Sequence, residues 1–374
     1  MAAISEHPAG SRTAIHPPPA GPPASERLIS LDAYRGFIML LLISHGFGFS
    51  VLKNYPGWEW LARQVDHVAW EGGVFWDLIQ PAFTFMVGVA MPLAFARRRS
   101  QGASSGELFR HVLWRAFILI VLSNVLSNFN SSKPPVLQFI NVLSQIAFGY
   151  VLCHLIMQLP FRNQVIAGAA LLAGHWGLFV LLPGADGPWS QSGNIGAVID
   201  RMVLGYNYSG YYTTVNFLGN AATILFGVWT GMLLMQDRTH AYKMKLLAGC
   251  AAAAFALGLV LQPFIPMVKR LWTASFTFYS AGWVILMLMV FYWTIEMKGY
   301  RRWAFPMVVV GMNSIFIYSF SQVLHGWLNR GLGVFTRNFA LLGEAGAIPQ
   351  NLLVMIAMWY LCYWLYQRKI FFKI

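Results

Sequence analysis

The chain contains a series of apolar runs, each about twenty residues long, which are separated by short polar links. A helix rises 1.5 Å per residue, so about twenty residues cross the roughly 30 Å hydrocarbon core of a bilayer. Because unpaired backbone groups are costly in lipid, each run must form a helix or a closed-barrel strand, and barrel strands are about half this length. The runs therefore predict an all-α, polytopic transmembrane helix bundle.

We predict about ten spans along the chain, with a range of nine to eleven for their number. The predicted spans cover 33–52, 73–96, 112–129, 136–159, 164–183, 216–235, 244–263, 274–296, 305–325 and 350–367. Only 10% of the residues are charged, whereas a soluble domain carries about 25%. The composition therefore agrees with burial in lipid, and ten crossings place both termini on one side of the membrane.

The distribution of lysine and arginine predicts which side that is. With both termini cytoplasmic, 18 of the 26 basic residues fall in cytoplasmic segments, as the positive-inside rule requires. The same bias explains the net charge of +13 without a nucleic-acid partner, which we exclude because the basic residues are spread over several links. Residues 1–26 lack the apolar core of a signal peptide and are predicted to be a disordered cytoplasmic tail, followed by a transmembrane domain at 27–374.

Ionisable groups at the edge of an apolar span are expensive to hold there, so they are candidates for function. His67 lies in the first outer link, and Asp77 is predicted about one turn into the second span. A carboxylate that accepts one imidazole N–H raises the basicity of the other ring nitrogen, which prepares a general base. The structural alternative is a histidine solvated by headgroups and an aspartate that interacts with the helix dipole. The three cysteines lie in apolar spans without metal-ligand spacing, so we expect neither a disulfide nor a metal site.

Six short motifs resemble, in the same order, those of the heparan-α-glucosaminide N-acetyltransferase family. They lie at 27–36, 67–81, 136–138 with 145–150, 217–231, 265–266 with 271–272, and 311–315. The resemblance implies a transmembrane acyltransferase, in the bacterial inner membrane, that transfers an acetyl group from cytoplasmic acetyl-CoA to an amino sugar or glycan on the far side. It implies that His67 is the catalytic histidine and Asp77 its aspartate, and it is compatible with a homodimer. The sequence departs from the family at Glu71, which replaces an asparagine, and at His45-Gly46, which close the first span in place of another polar residue.

Two other functions remain open at this stage. The first motif also resembles that of membrane O-acyltransferases of envelope polysaccharides, in which Asp32 and Arg35 would begin the first span and His45 would be the base. The structural alternative for that pair is an ion pair at a helix entry. A secondary transporter would suit ten spans with midplane polar groups, although the two halves show no repeated hydropathy pattern.

Further candidate site residues follow from the needs of acyl transfer. Asn313 and Ser314 lie in mid-span, where an amide N–H could stabilise an oxyanion, although polar residues in bundles also join helices. The phosphates of CoA need cationic partners on the inner side. The densest cluster of such cations contains Arg97, Arg98, Arg99, Arg110 and Arg115. The positive-inside rule alone also explains their presence.

Overall fold

The computed structural model describes residues 28–129, 131 and 134–372, and this part of the chain is helical. The predicted tail at 1–26 lies outside the described residues. The α-helices are α1 Ile29–Ile43, α2 Glu59–Gln64, α3 Ile79–Ser100, α4 Ser105–Phe129, α5 Val142–Ile156, α6 Phe161–Leu181, α7 Ile195–Leu204, α8 Phe217–Met235, α9 His240–Leu261, α10 Ala274–Tyr292, α11 Phe305–Gly311, α12 Ser314–Thr336 and α13 Ala347–Gln367. The predicted all-α class is confirmed.

The apolar helices correspond one by one to the ten predicted spans. In the described residues, seven helical segments, which contain α3, α4, α6, α8, α9, α10 and α13, are long and apolar enough to cross a membrane. Two more predicted spans are bent pairs: α1 meets the 3-10 helix Gly46–Asn54 at 45°, and the segment ending with α11 meets α12 at 68°. The remaining unit, α5, is apolar but has only 15 residues. The chain is thus an integral membrane protein with seven to nine full-length spans and one shorter apolar helix.

The predicted span at 136–159 is wrong at its start, because α5 begins only at Val142. The residues before it are not helical, and their backbone N–H groups bind polar side chains of α4. Asn128 accepts a hydrogen bond from the backbone N–H of Val136 at 2.9 Å, and Asn124 accepts one from Gln138 at 2.7 Å. Asn141 then caps α5 by accepting the N–H of Leu143 at 3.0 Å. Because these side chains pair backbone N–H groups before α5, those groups do not need helical partners.

Helices α3, α8 and α10 form the centre of the bundle, whereas α4, α6, α9 and α13 are buried over less than a third of their apolar windows. The backbones of α3 and α8 touch because glycines leave room between them. A Cβ on Gly88 would lie 2.0 Å from the carbonyl oxygen of Ile224, and one on Gly227 would lie 2.1 Å from that of Phe85. Close approach of this kind is the usual way in which membrane helices pack, since lipid gives apolar side chains little reason to associate.

Helix α3 connects two chemically different ends of the bundle. It follows a 3-10 turn at Phe75–Leu78, which contains Asp77, and its last turn contains Arg97, Arg98 and Arg99. Its 22 residues give a length of about 33 Å at the helical rise. We call these the His67 end and the arginine end.

Candidate active site

Three side chains meet at one atom at the His67 end. The Nδ1 atom of His67 lies 2.6 Å from Oδ1 of Asp77, and the Nζ atom of Lys269 lies 3.3 Å from the same oxygen. The Lys269 Nζ atom is also 3.2 Å from His67 Nδ1. The side chains of Asp77 and Lys269 are 1% and 6% exposed, whereas that of His67 is 40% exposed. The carboxylate and the ammonium are therefore buried behind an accessible imidazole.

Local hydrogen bonds explain why these residues converge. The backbone N–H of Val74 donates to Asp77 Oδ2 at 3.4 Å, which orients the carboxylate at the start of the 3-10 turn. The segment that contains His67 is tied to the segment that contains Lys269, because the N–H of Gly72 donates to the carbonyl of Met267 at 2.8 Å. Two loops that are remote in sequence thus form one rim.

Burial sets the charge behaviour of Lys269. Removal of the ammonium from water lowers the pKa of Lys269 from 10.5 to about 8, although the carboxylate of Asp77 opposes this effect. Burial therefore makes this ammonium easier to deprotonate than that of an exposed lysine, and the ion pair with Asp77 counteracts that change.

A cavity of about 400 Å³ opens beside His67 and extends between α1, α3, α5 and α12. Its polar lining consists of His67, Gln80, Asn141, Tyr212, Lys269, Tyr318 and Gln322. Tyr318 donates a hydrogen bond to Asn141 at 3.2 Å, so the deep wall is an ordered polar surface among apolar side chains. Its volume lies in the range of small-molecule sites, which commonly combine apolar walls with a few polar groups.

His45 lies near this cavity but has different neighbours. Its ring stacks on that of His325, with centroids 3.9 Å apart and planes 9° from parallel. Trp76 lines both the His67 cavity and an adjoining pocket that contains His45. Among the histidines that the structure describes, His67 is the one with a carboxylate within 4.0 Å.

The predicted phosphate-binding arginines are only partly brought together at the arginine end. Arg98 and Arg110 line one pocket of about 720 Å³. Arg99 faces a separate pocket and donates to Gln158 at 3.5 Å. Arg115 donates to the hydroxyl of Tyr150 at 3.3 Å, and Arg97 is exposed.

The structure does not bring Asn313 to His67. The Nδ2 atom of Asn313 donates to the carbonyl of Ile370 at 3.1 Å, and its Oδ1 atom accepts the N–H of Phe372 at 3.0 Å. Both partners follow the end of α13, whose first residues lie near Gly48 at the opposite end of the bundle. The break before α12, where Ser314 is the first residue, thus holds the end of the described chain and does not face the cavity beside His67.

Sequence reasoning did not single out Lys269 and Trp76 as functional residues. Lys269 lies between two matched motifs, at 265–266 and 271–272. Two adjacent cations, Lys269 and Arg270, between the matched motifs were the available signal. Trp76 directly precedes Asp77. Because aromatic residues are common near membrane interfaces, there was no reason in the sequence to assign a function to this tryptophan.

Comparison with known proteins agrees with the resemblance seen in the motifs. No family model matches the chain. The chain is 26% identical to the heparan-alpha-glucosaminide N-acetyltransferase of Homo sapiens, over 93% of this chain and 60% of that protein. It is 25% identical to the protein of the same name from Mus musculus, over 94% of this chain and 61% of that protein. The chain thus spans about three fifths of the length of these relatives, and its similarity to heparan-alpha-glucosaminide N-acetyltransferases extends over nearly all of its own.

Proposed function

We propose that the chain is a transmembrane acyltransferase that moves an acetyl group from acetyl-CoA to the amine of an amino sugar. In this proposal the donor binds from the cytoplasm at the arginine end, and the acceptor reaches His67 from the other side of the membrane. The observation that carries it is the hydrogen bond between His67 and the buried Asp77 beside a cavity. The named relatives support the reaction class.

The geometry suits His67 as a general base. When Nδ1–H donates to Asp77, the tautomer is fixed and the lone pair of Nε2 is left for a reactant. The acceptor nitrogen attacks the thioester carbonyl while Nε2 takes its proton, the new C–N bond forms, and the C–S bond breaks. The CoA thiolate then takes the proton from the imidazolium, which restores His67. A covalent route, in which Nε2 first accepts the acetyl group, uses the same atom.

The residues at both ends suit a long, charged donor. The pocket with Arg98 and Arg110 at the arginine end offers cations for phosphate oxygens. The cavity beside His67 offers apolar walls with polar groups for the thioester end of the arm. We assign no role in the reaction to Asn313, since its amide is occupied by the backbone of residues 370 and 372.

The test is release of CoA by purified protein that is supplied with acetyl-CoA and glucosamine. His67→Ala should reduce the release to background, because the base and its lone pair are removed. His240→Ala is the matched control: His240 is an exposed histidine that contacts Tyr292, away from this cavity.

Three outcomes would contradict the proposal or redirect it. Unchanged CoA release by His67→Ala would remove His67 from the mechanism. Loss of release in His45→Ala together with an acetylated sugar hydroxyl as product would favour the O-acyltransferase alternative. Counterflow of substrate without cleavage of the thioester would identify a transporter.

A further inference from the structure

Lys269 is a buried cation that the reaction described above does not use. We propose that it is a positioning residue whose ammonium compensates the negative charge of Asp77. The imidazole of His67 then stays neutral, and its Nε2 lone pair is available. The consequence for catalysis rests on the proposed function, whereas the charge relation among the three side chains does not.

The three contacts allow one consistent assignment of protons. An ammonium has three N–H donors and no acceptor, and an ionised carboxylate only accepts. If Nδ1–H of His67 donates to Asp77 Oδ1 at 2.6 Å, Lys269 must donate to that same oxygen at 3.3 Å. The 3.2 Å between Lys269 Nζ and His67 Nδ1 is then a contact between two donors, not a hydrogen bond. Such a contact is unfavourable for an imidazolium and tolerable for a neutral imidazole.

The charges lead to the same conclusion. A carboxylate alone at this distance favours the imidazolium, and a cation within about 4–6 Å opposes it. With Lys269 protonated, the imidazole faces a pair whose net charge is zero. Asp77 can therefore orient the ring without holding it in the protonated form, which has no lone pair for a reactant.

The other ionisable groups around His67 leave this role to Lys269. The carboxylate of Asp66 accepts the backbone N–H of His67 at 2.8 Å. Tyr212 lines the cavity, and the guanidinium of Arg270 lies 5.9 Å from the centre of its ring. His45 lies beyond Trp76 in the adjoining pocket. In the described part of the chain, the basic side chains within 4.0 Å of the Asp77 carboxylate are those of His67 and Lys269.

A purely structural role would make a different prediction. If Lys269 only held Asp77 in place, its removal would lower stability and leave the protonation of the imidazole unchanged. The readout must therefore report the protonation of His67 and must not depend on acetyl transfer.

The experiment measures the rate at which diethylpyrocarbonate modifies His67, as a function of pH, by mass spectrometry of the purified protein in detergent. The reagent reacts with neutral imidazole, and His67 is accessible. In Lys269→Met the pH midpoint of modification should rise by at least about one pH unit relative to the protein without the substitution, because the carboxylate of Asp77 then acts alone on the imidazole. Lys269→Arg should keep the original midpoint, since arginine retains the charge.

Matched controls separate charge at this position from charge in the loop. Arg270→Gln removes the neighbouring cation and should leave the midpoint unchanged. His240 in the same samples reports the intrinsic reactivity of the reagent. If Lys269→Met does not fold, the double variant Asp77→Asn/Lys269→Met serves instead: its midpoint should lie above that of Asp77→Asn, in which the charge of Lys269 is unopposed.

A folded Lys269→Met variant with an unchanged midpoint would overturn the proposal, as would equal midpoints in Asp77→Asn and Asp77→Asn/Lys269→Met. Failure of the proposed function is recognised separately: the midpoints would shift as expected, but no variant would release CoA from acetyl-CoA. If both hold, the acidic limb of the rate of CoA release in Lys269→Met should move by the same amount as the midpoint.

Discussion

The carboxylate of Asp77 is placed to act on both chemistry and stability, because its Oδ1 atom contacts both His67 and Lys269. We expect Asp77→Asn to slow CoA release by about 10²- to 10⁴-fold, which is the usual contribution of a well-placed acid–base system. It should also lower the free energy of unfolding by about 3–5 kcal/mol, since the buried ammonium loses its counter-ion. Both effects are measured on one preparation, by thiol release and by thermal unfolding in detergent.

The double variant Asp77→Asn/Lys269→Met separates the two effects. It should recover most of the lost stability, because no unpaired charge remains, and it should stay inactive. Asp66→Asn is the control for loss of a nearby carboxylate, since Asp66 is exposed and its carboxylate accepts the backbone N–H of His67. Full activity in the single Asp77→Asn variant would show that the aspartate does not prepare the base.

Sequence could reveal part of this site for a simple reason. His67 and Asp77 are ten residues apart at the entry to one span, so local geometry alone brings them within reach of each other. Lys269 is 202 residues from His67. Its position beside His67 depends on the packing of the loop before α10 against the loop before α3, and no local sequence pattern predicts that packing. Asn313 shows the converse, since its amide partners follow α13, far from it in sequence, and no local pattern reveals that contact.

At the scale of helices, the packing of α3 on α8 determines where Asp77 is held. We expect Gly227→Ala to destabilise the protein by about 1–3 kcal/mol, as overpacking does, because the new Cβ would lie 2.1 Å from the carbonyl oxygen of Phe85. Gly249→Ala is the matched control, since a Cβ on this glycine of α9 would meet nothing within 4 Å. Thermal unfolding in detergent measures both. Equal stability of the two variants would mean that α3 and α8 are less closely packed than described.

Hydropathy could predict which segments are apolar, and it could not predict where an apolar segment bends. The first predicted span, 33–52, breaks near His45, whose φ of +48° is left-handed. The predicted span at 305–325 breaks between α11 and α12 with a 68° bend. The two bent segments also touch each other: α1 and α11 meet at Gly36 and Gly311, where a Cβ on either would lie within 2 Å of the other backbone. Such contacts leave little trace in a hydropathy profile.

The whole molecule places its two candidate sites at opposite ends of α3, a helix of 22 residues that is about 33 Å long by the helical rise. A soluble acetyltransferase needs no such separation, because its donor and acceptor share one solvent. In this chain the cations of the arginine end and the imidazole of the His67 end are separated by the length of α3, which is close to the thickness of the hydrocarbon core of a bilayer. The arrangement suits an enzyme whose donor and acceptor are in different compartments.

The predicted sidedness can be measured with a membrane-impermeant maleimide. Glu71→Cys puts an exposed thiol at the His67 end, and Gln101→Cys puts one in the exposed link after α3. In intact spheroplasts Glu71→Cys should be labelled, whereas Gln101→Cys should react only after permeabilisation, because 18 of the 26 basic residues favour a cytoplasmic arginine end. The protein without either substitution is the control for labelling of its own cysteines, which lie within α5, α9 and α13. The reverse pattern would place the arginine pocket outside the cell, where acetyl-CoA is not supplied, and labelling of both from outside would show that α3 does not cross the membrane.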